Sequence, residues 1–245
     1  SRVTSMPGLF SGKSSFNGDI SSWNVSKVVS MNSMFRDALS FDGDLSGWDV
    51  SSVTDMAYMF GTGHYVRKHT FNGDISGWDV SSVVSMNDMF FANIKFDQDL
   101  SGWDVSKVTS MSKMFERASS FNADIGSWDV AGVTDMSSMF YEATSFNRNL
   151  SSWDVSSVLN MDQMFFSASS FSKKFCWNLQ SGVSKTQIVS GTDGALICNC
   201  PKGAVFNGAD SCSWTCPFST QYLSEADICV FSFDSRATLK SAVDS

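Results

Sequence analysis

Apolar residues in this chain fall into two alternating patterns. In one, Met136, Met139, Phe140 and Ala143 stand at i, i+3, i+4 and i+7, the spacing of one face of an α-helix. The same quartet recurs as Met31, Met34, Phe35, Ala38 and as Met111, Met114, Phe115, Ala118. Thr134 and Asp135, just upstream, supply N-cap chemistry, so the pattern predicts a helix of about two to three turns. The other pattern, Phe121-Asn122-Ala123-Asp124-Ile125-Gly126-Ser127-Trp128-Asp129-Val130, is too short and polar for a second helix. Its branched and aromatic residues predict a short strand over 124–128 and a corner at Asp129.

The two patterns together repeat. Trp23, Trp48, Trp78, Trp103, Trp128 and Trp153 are separated by 25, 30, 25, 25 and 25 residues. A fixed period of this length marks units that bury their apolar faces only against their neighbours. The expected fold is therefore an α/β repeat solenoid, a leucine-rich-repeat-like arc of short parallel strands and short helices. About seven units fill residues 1–175, and a disulfide-rich module of residues 176–245 caps them. The first unit departs from the pattern, because Met6-Pro7-Gly8-Leu9-Phe10 puts a proline where only a first helical turn tolerates it. The chain opens inside this repeat, as a segment of a longer product would.

The phrase Asp49-Val50-Ser51-Ser52-Val53-Thr54-Asp55-Met56 followed by Met59-Phe60 resembles the repeat of the BspA-like leucine-rich-repeat surface proteins. The resemblance spans about residues 3–171. It implies a secreted or surface-displayed protein used in adhesion or assembly, and it brings no catalytic residues with it.

Composition narrows the class further. The formal net charge of −8 opposes a nucleic-acid partner, and no run of 18 apolar residues is present to span a membrane. All six cysteines, Cys176, Cys198, Cys200, Cys212, Cys216 and Cys229, follow the repeats. An even count in a loop-rich tail reads as a disulfide framework, hence an oxidising extracellular compartment. Zinc is the weaker reading, since no histidine lies nearby and the Cys198-x-Cys200 spacing is poor for a knuckle. The tail loosely resembles EGF-like modules.

Candidate chemistry sits where the repeat is irregular. Ten residues separate Phe60 from Phe71, where other units have five. This insertion carries His64, Tyr65, Arg67, Lys68 and His69, and inserted loops in repeat proteins often carry binding. Two acidic columns, Asp19 to Asp124 ending in Asn149 and Asn24 followed by Asp49 to Asp154, would repel along a stack. Backbone capping is the expected remedy, and Ca²⁺ held between units is the alternative. Asn24 and Asn149 head Asn-x-Ser sequons and are candidate glycosylation sites. No catalytic constellation is visible. The expected protein is a non-enzymatic structural or adhesion protein whose partners are surface or matrix proteins, glycans, or its own copies head to tail. A lectin-like or calcium-dependent module is the alternative.

Overall fold

The computed structural model describes residues 3–65, 68–177 and 179–198. Among them there is no α-helix, and the only strands are β1, Lys174–Cys176, and β2, Ala195–Cys198, which pair in parallel. The repeat is built from turns. In the unit beginning at Met31, Met34 N–H donates to Met31 O (3.0 Å), Arg36 N–H to Ser33 O (3.1 Å) and Ala38 N–H to Phe35 O (2.9 Å). The residues between them donate outward to the next unit: Met31 to Asp55 O (2.9 Å), Ser33 to Ala57 O (2.8 Å), Phe35 to Met59 O (3.0 Å) and Asp37 to Gly61 O (3.0 Å).

This alternation is why the expected helices are absent. An α-helix needs every N–H for its own i−4 carbonyl, whereas here every second one is spent on a neighbour. Ser33 and Asp37 also lie at φ 57° and 59°, the left-handed region found at the third position of a type II turn. Equivalent positive angles recur at Lys113 and Arg117 and at Ser138 and Glu142, and glycine takes the paired positions Gly8 and Gly12 in the first unit. Consecutive turns of three to four residues return Met, Met, Phe and Ala to one side, with the same spacing as a helix. The expected strand at 124–128 is likewise a turn, closed by Trp128 N–H to Ile125 O (3.2 Å), and a second follows from Val133 N–H to Val130 O (2.9 Å).

Units stack in parallel on these outward bonds. Single-residue bridges run from Ser5 through Ser30, Asp55, Ser85, Ser110, Asp135 and Asn160 to Ser184. The stacking continues past residue 175: Met161, Gln163, Phe165 and Ser167 donate to Ser184, Thr186, Ile188 and Ser190. An eighth layer therefore lies where the cysteine-rich module was expected to begin. Cys176 and Cys198 are backbone partners in the β1–β2 pair, and Cys200, Cys212, Cys216 and Cys229 lie outside the described residues.

Inside, the interior units contribute nearly the same set. Phe121, Ile125, Trp128, Val130, Val133, Met136, Met139, Phe140 and Ala143 are all buried. Two phenylalanine columns stack face to face within each unit, as in Phe115–Phe121 (3.7 Å) and Phe140–Phe146 (4.0 Å). Phe60–Phe71 keeps 3.9 Å across the insertion, so the extra residues leave the phenylalanine stack intact. Each buried indole is fixed by its donor: Trp128 Nε1 to Leu100 O (2.9 Å), Trp153 Nε1 to Ile125 O (3.1 Å) and Trp177 Nε1 to Leu150 O (3.0 Å).

The acidic columns stand at the two turns, exposed, each carboxylate accepting from the residue two positions on. Asp44 Oδ1 takes the N–H (2.9 Å) and hydroxyl (2.7 Å) of Ser46, and Asp49 Oδ1 does the same with Ser51 (3.2 and 2.6 Å). The Ser21 hydroxyl and N–H hold Asp19 below the usual carboxylate range, and repulsion from Asp44 is a smaller effect in the other direction. Capping thus offsets the stacked charge. Asn24 and Asn149 cap the same turns through Ser26 and Ser151, exposed like their aspartate counterparts. A third column, not anticipated, links units directly: Asp42 Oδ1 accepts from Asn72 N–H (2.8 Å) and Asn72 Oδ1 from Asp97 N–H (3.0 Å).

Candidate binding face beside the insertion

Charge gathers on one strip of the stack, at the variable positions around the Met-Met-Phe turns. Tyr58, Asp88 and Lys113 occupy one positive-φ column in successive units. Glu116 and Arg117 follow on the next turn, and Arg36 and Glu142 take matching positions in units to either side. The first, third, seventh and eighth units carry no charge at these positions, so the charges gather in the second and the fourth to sixth units.

The insertion closes over this strip. Gly63 N–H donates to both carboxylate oxygens of Asp37 (3.1 Å each), so close that a Cβ at Gly63 would meet the Arg36 guanidinium at 2.6 Å. Tyr65, 58% exposed, sets its ring against Phe91 (5.4 Å) and beneath the Arg117 guanidinium (4.7 Å). Arg117 Nη1 also donates to Tyr65 O (3.4 Å), and Arg117 Nη2 to Glu142 Oε1 (3.2 Å). Arg117 Nε lies 3.1 Å from Glu142 Oε2, at ion-pair distance but off the hydrogen-bond line. Arg36 stands over the Tyr58 ring at 5.0 Å.

The site residues expected from the insertion separate. His64, Tyr65 and Lys68 are exposed, and Arg67 lies outside the described residues. His69 is fully buried and cannot reach a partner from there. Its Nδ1 accepts from Phe71 N–H (3.2 Å), which assigns the proton to Nε2, and Nε2–H then donates to Phe35 O (3.2 Å). His69 therefore anchors the insertion to the core. Beside it, bridged through the backbone, Asn93 fills the column held elsewhere by Ala38, Ala118, Ala143 and Ala168. Its Oδ1 and Nδ2 are buried without a hydrogen-bond partner.

The electrostatics of the strip follow from its burial. Glu116 is 3% exposed, and burial pushes its carboxyl up to about 7 against the opposing pull of Lys113. Burial raises Asp88 too, with Lys113, Tyr58 and Arg36 pulling it back. Burial and the neighbouring Asp88 charge raise the Tyr58 phenol. Lys113 is raised in turn, because Glu116, Tyr65 and Asp88 outweigh its desolvation. A shallow polar recess of about 530 Å³ runs along this face, lined in part by Asp55, Tyr58, Asp88, Lys113 and Asp135. Among the described residues no three His, Cys, Asp or Glu side chains come together as a metal site would, and no helix is long and apolar enough to cross a membrane.

Only one signal in the sequence could have located the strip. Asp88, Lys113, Glu116, Arg117 and Glu142 are charges at positions that vary between units, in the three units that follow the one irregular spacing.

Turn-built units bonded layer to layer over a common Phe, Met and Trp core define a repeat protein. The chain belongs to the family described as "Mycoplasma protein of unknown function, DUF285", whose model matches residues 1–69 and again 62–178. The two matches overlap within the insertion. No curated protein and no solved structure was found to match the chain.

Proposed function

We propose that the chain is a non-enzymatic structural or adhesion protein of an extracellular surface, in the manner of the BspA-like proteins its repeat resembles. It is a repeat solenoid made of turns, and it acts by contact with surface or matrix proteins or glycans. The observation that carries this is the charged strip: Tyr58, Tyr65, Arg36, Arg117 and Lys113 gather on one face, beside an inserted loop and over an unbroken phenylalanine stack. Tyrosine and arginine are enriched at recognition surfaces because they combine large contact area with directed hydrogen bonds. The exposed sequons at Asn24 and Asn149 and the cysteines after residue 175 fit the same extracellular setting.

Three variants test it against immobilised polysaccharides and surface proteins: Tyr65→Ala, Lys113→Glu, and residues 61–70 replaced by the five-residue linker of residues 116–120. Binding should be lost in each while the far-ultraviolet circular dichroism spectrum stays that of the parent, and a chelator should leave binding unchanged. Full binding by the linker variant would sink the proposal. Chelator-sensitive binding would favour the calcium-dependent module instead.

A further inference from the structure

Charge reverses along one side wall of the stack, at the turn that carries the first acidic column. A ladder of side-chain caps holds this wall in register from layer to layer. Asn17 Oδ1 accepts from Asp42 N–H (2.9 Å), Asn122 Oδ1 from Asn147 N–H (3.0 Å) and Asn147 Oδ1 from Ser172 N–H (3.1 Å). The first five layers present residues 17–19, 42–44, 72–74, 97–99 and 122–124, which hold seven aspartates, all exposed, and no cation. The next two present residues 147–149 and 172–174, which hold Arg148, Lys173 and Lys174 and no carboxylate. In a chain of formal charge −8 this is a sharp local change of sign.

A polar recess of about 470 Å³ lies at the reversal. Asp124 lines it from one layer, Arg148 and Asn149 from the next, and Lys173 from the one after. Arg148 Nε donates to the Asn122 carbonyl, which anchors the guanidinium and leaves its two Nη groups without an acceptor among the described residues. No carboxylate of a described residue stands at ion-pair distance from Arg148, Lys173 or Lys174. Asp124 is equally short of partners. Asp19, Asp44 and Asp74 each take a serine hydroxyl (2.7 Å) besides a backbone N–H. Asp124 takes only the N–H of Gly126 (3.0 Å), because residue 126 is glycine where those layers have serine. A Cβ there would meet the Asn149 carbonyl at 2.7 Å.

We propose that this recess binds an acidic sugar, its carboxylate between Arg148 and Lys173 and a ring hydroxyl donating to Asp124. Each group of the ligand meets the partner it needs. Guanidinium and ammonium form charge-assisted hydrogen bonds with a carboxylate, and the aspartate without its serine accepts from a hydroxyl. A bare anion would meet Asp124 as a like charge. A polyanion laid along the stack would run onto Asp124 and Asp99, which opposes nucleic acid and anionic membrane. The acidic end residue of a glycan is short enough to stop at the reversal. The recess shares no residue with that of the charged strip, so the site is separate from the contact face proposed above. Asn149 also heads a sequon, and a glycan on its amide would fill the recess.

Titration calorimetry of the full 245-residue chain, made in a host without N-glycosylation, tests it. The probes are trigalacturonate and oligosaccharides ending in glucuronate or sialate. At least one should bind, and its methyl ester, which keeps the sugar and removes the charge, should not. Arg148→Gln and Lys173→Gln should each weaken binding by about tenfold or more. Asp124→Asn should do the same, although an amide there still caps its turn as Asn149 does (Ser151 N–H to Asn149 Oδ1, 3.0 Å). All three positions are exposed or half-buried, so far-ultraviolet circular dichroism should match the parent's. Tyr65→Ala, on the charged strip, should bind as the parent does, and loss of binding there would place the ligand on the strip and overturn the proposal. Four other results overturn it: no binding of any of the three acids, equal binding of the ester, variants of the recess that bind like the parent, or inorganic sulfate, duplex DNA or phosphatidylserine vesicles bound as tightly as the sugar.

Discussion

His69 and Asn93 stand side by side in the core, and each breaks the alanine column in its own way. Asn93 leaves a buried amide unpaired, which costs about 1–3 kcal/mol. Asn93→Ala restores the residue used in four other units and should stabilise the chain by an amount in that range, measured by urea unfolding. His69 is satisfied but only while neutral: burial lowers it to about 4 from 6.5, with Asp37 and Asp42 opposing weakly. Between those values the unfolded chain binds a proton that the folded chain refuses, so this group makes stability rise with pH. Glu116 acts oppositely. Raised to about 7 from 4.5, it keeps a proton in the folded state that the unfolded state has lost, so stability falls as pH climbs through that window. Each effect is of order 3 kcal/mol, and over pH 5–6.5 they largely cancel. Glu116→Gln should therefore leave a profile that rises with pH, and His69→Gln one that falls. Parallel profiles for the two variants would contradict both assignments. Neither burial was legible beforehand, because His69 sits among loop-like residues and Glu116 in a variable position. Only stacking shows that the turn carries both inward.

At the scale of the turn, the periodicity identified the core and misread the backbone. Met136, Met139, Phe140 and Ala143 are buried together as expected, since any path that turns every three to four residues puts them on one side. What separates turn from helix is the positive φ at Ser138 and Glu142, and the residues there, like Lys113 and Arg117, give no hint of it. Only Gly8, Gly12 and Gly191 in the end units do. The capping of the acidic columns was readable, because Asp followed two residues later by Ser is turn chemistry. The indole donors make a test of how units hold each other. Trp153→Phe removes one of the two donors to the Ile125 carbonyl, leaving Trp128 N–H, and should cost about 1 kcal/mol. Trp23→Phe loses no such bond and should fall within error of the parent.

Across the whole molecule, each junction repeats the same bonds and the same packing, so stability should grow with the number of units rather than reside in any one. Removing residues 122–146 joins Phe121 to Asn147 and keeps every column in register. That shortened chain should fold with the parent's circular dichroism spectrum and a somewhat lower midpoint. Removing residues 122–145 instead displaces every later column by one position and should prevent folding. The 25-residue period was plain from the tryptophans, and so was its single interruption. The eighth layer was not, because Lys185, Ile188 and Val189 stand where the preceding unit has Met161, Met164 and Phe165 and the local spacing shortens.

The insertion at 61–70 also gives the stack a mechanical signature. Pulled by its two ends, a stack held by bonds between successive layers unwinds one layer at a time, each releasing 25 residues, or about 85 Å of extended chain. The layer from Trp48 to Trp78 holds 30 and releases about 100 Å. A force–extension trace should therefore show evenly spaced steps with one longer than the rest. Its place in the sequence of steps reports from which end the protein yields.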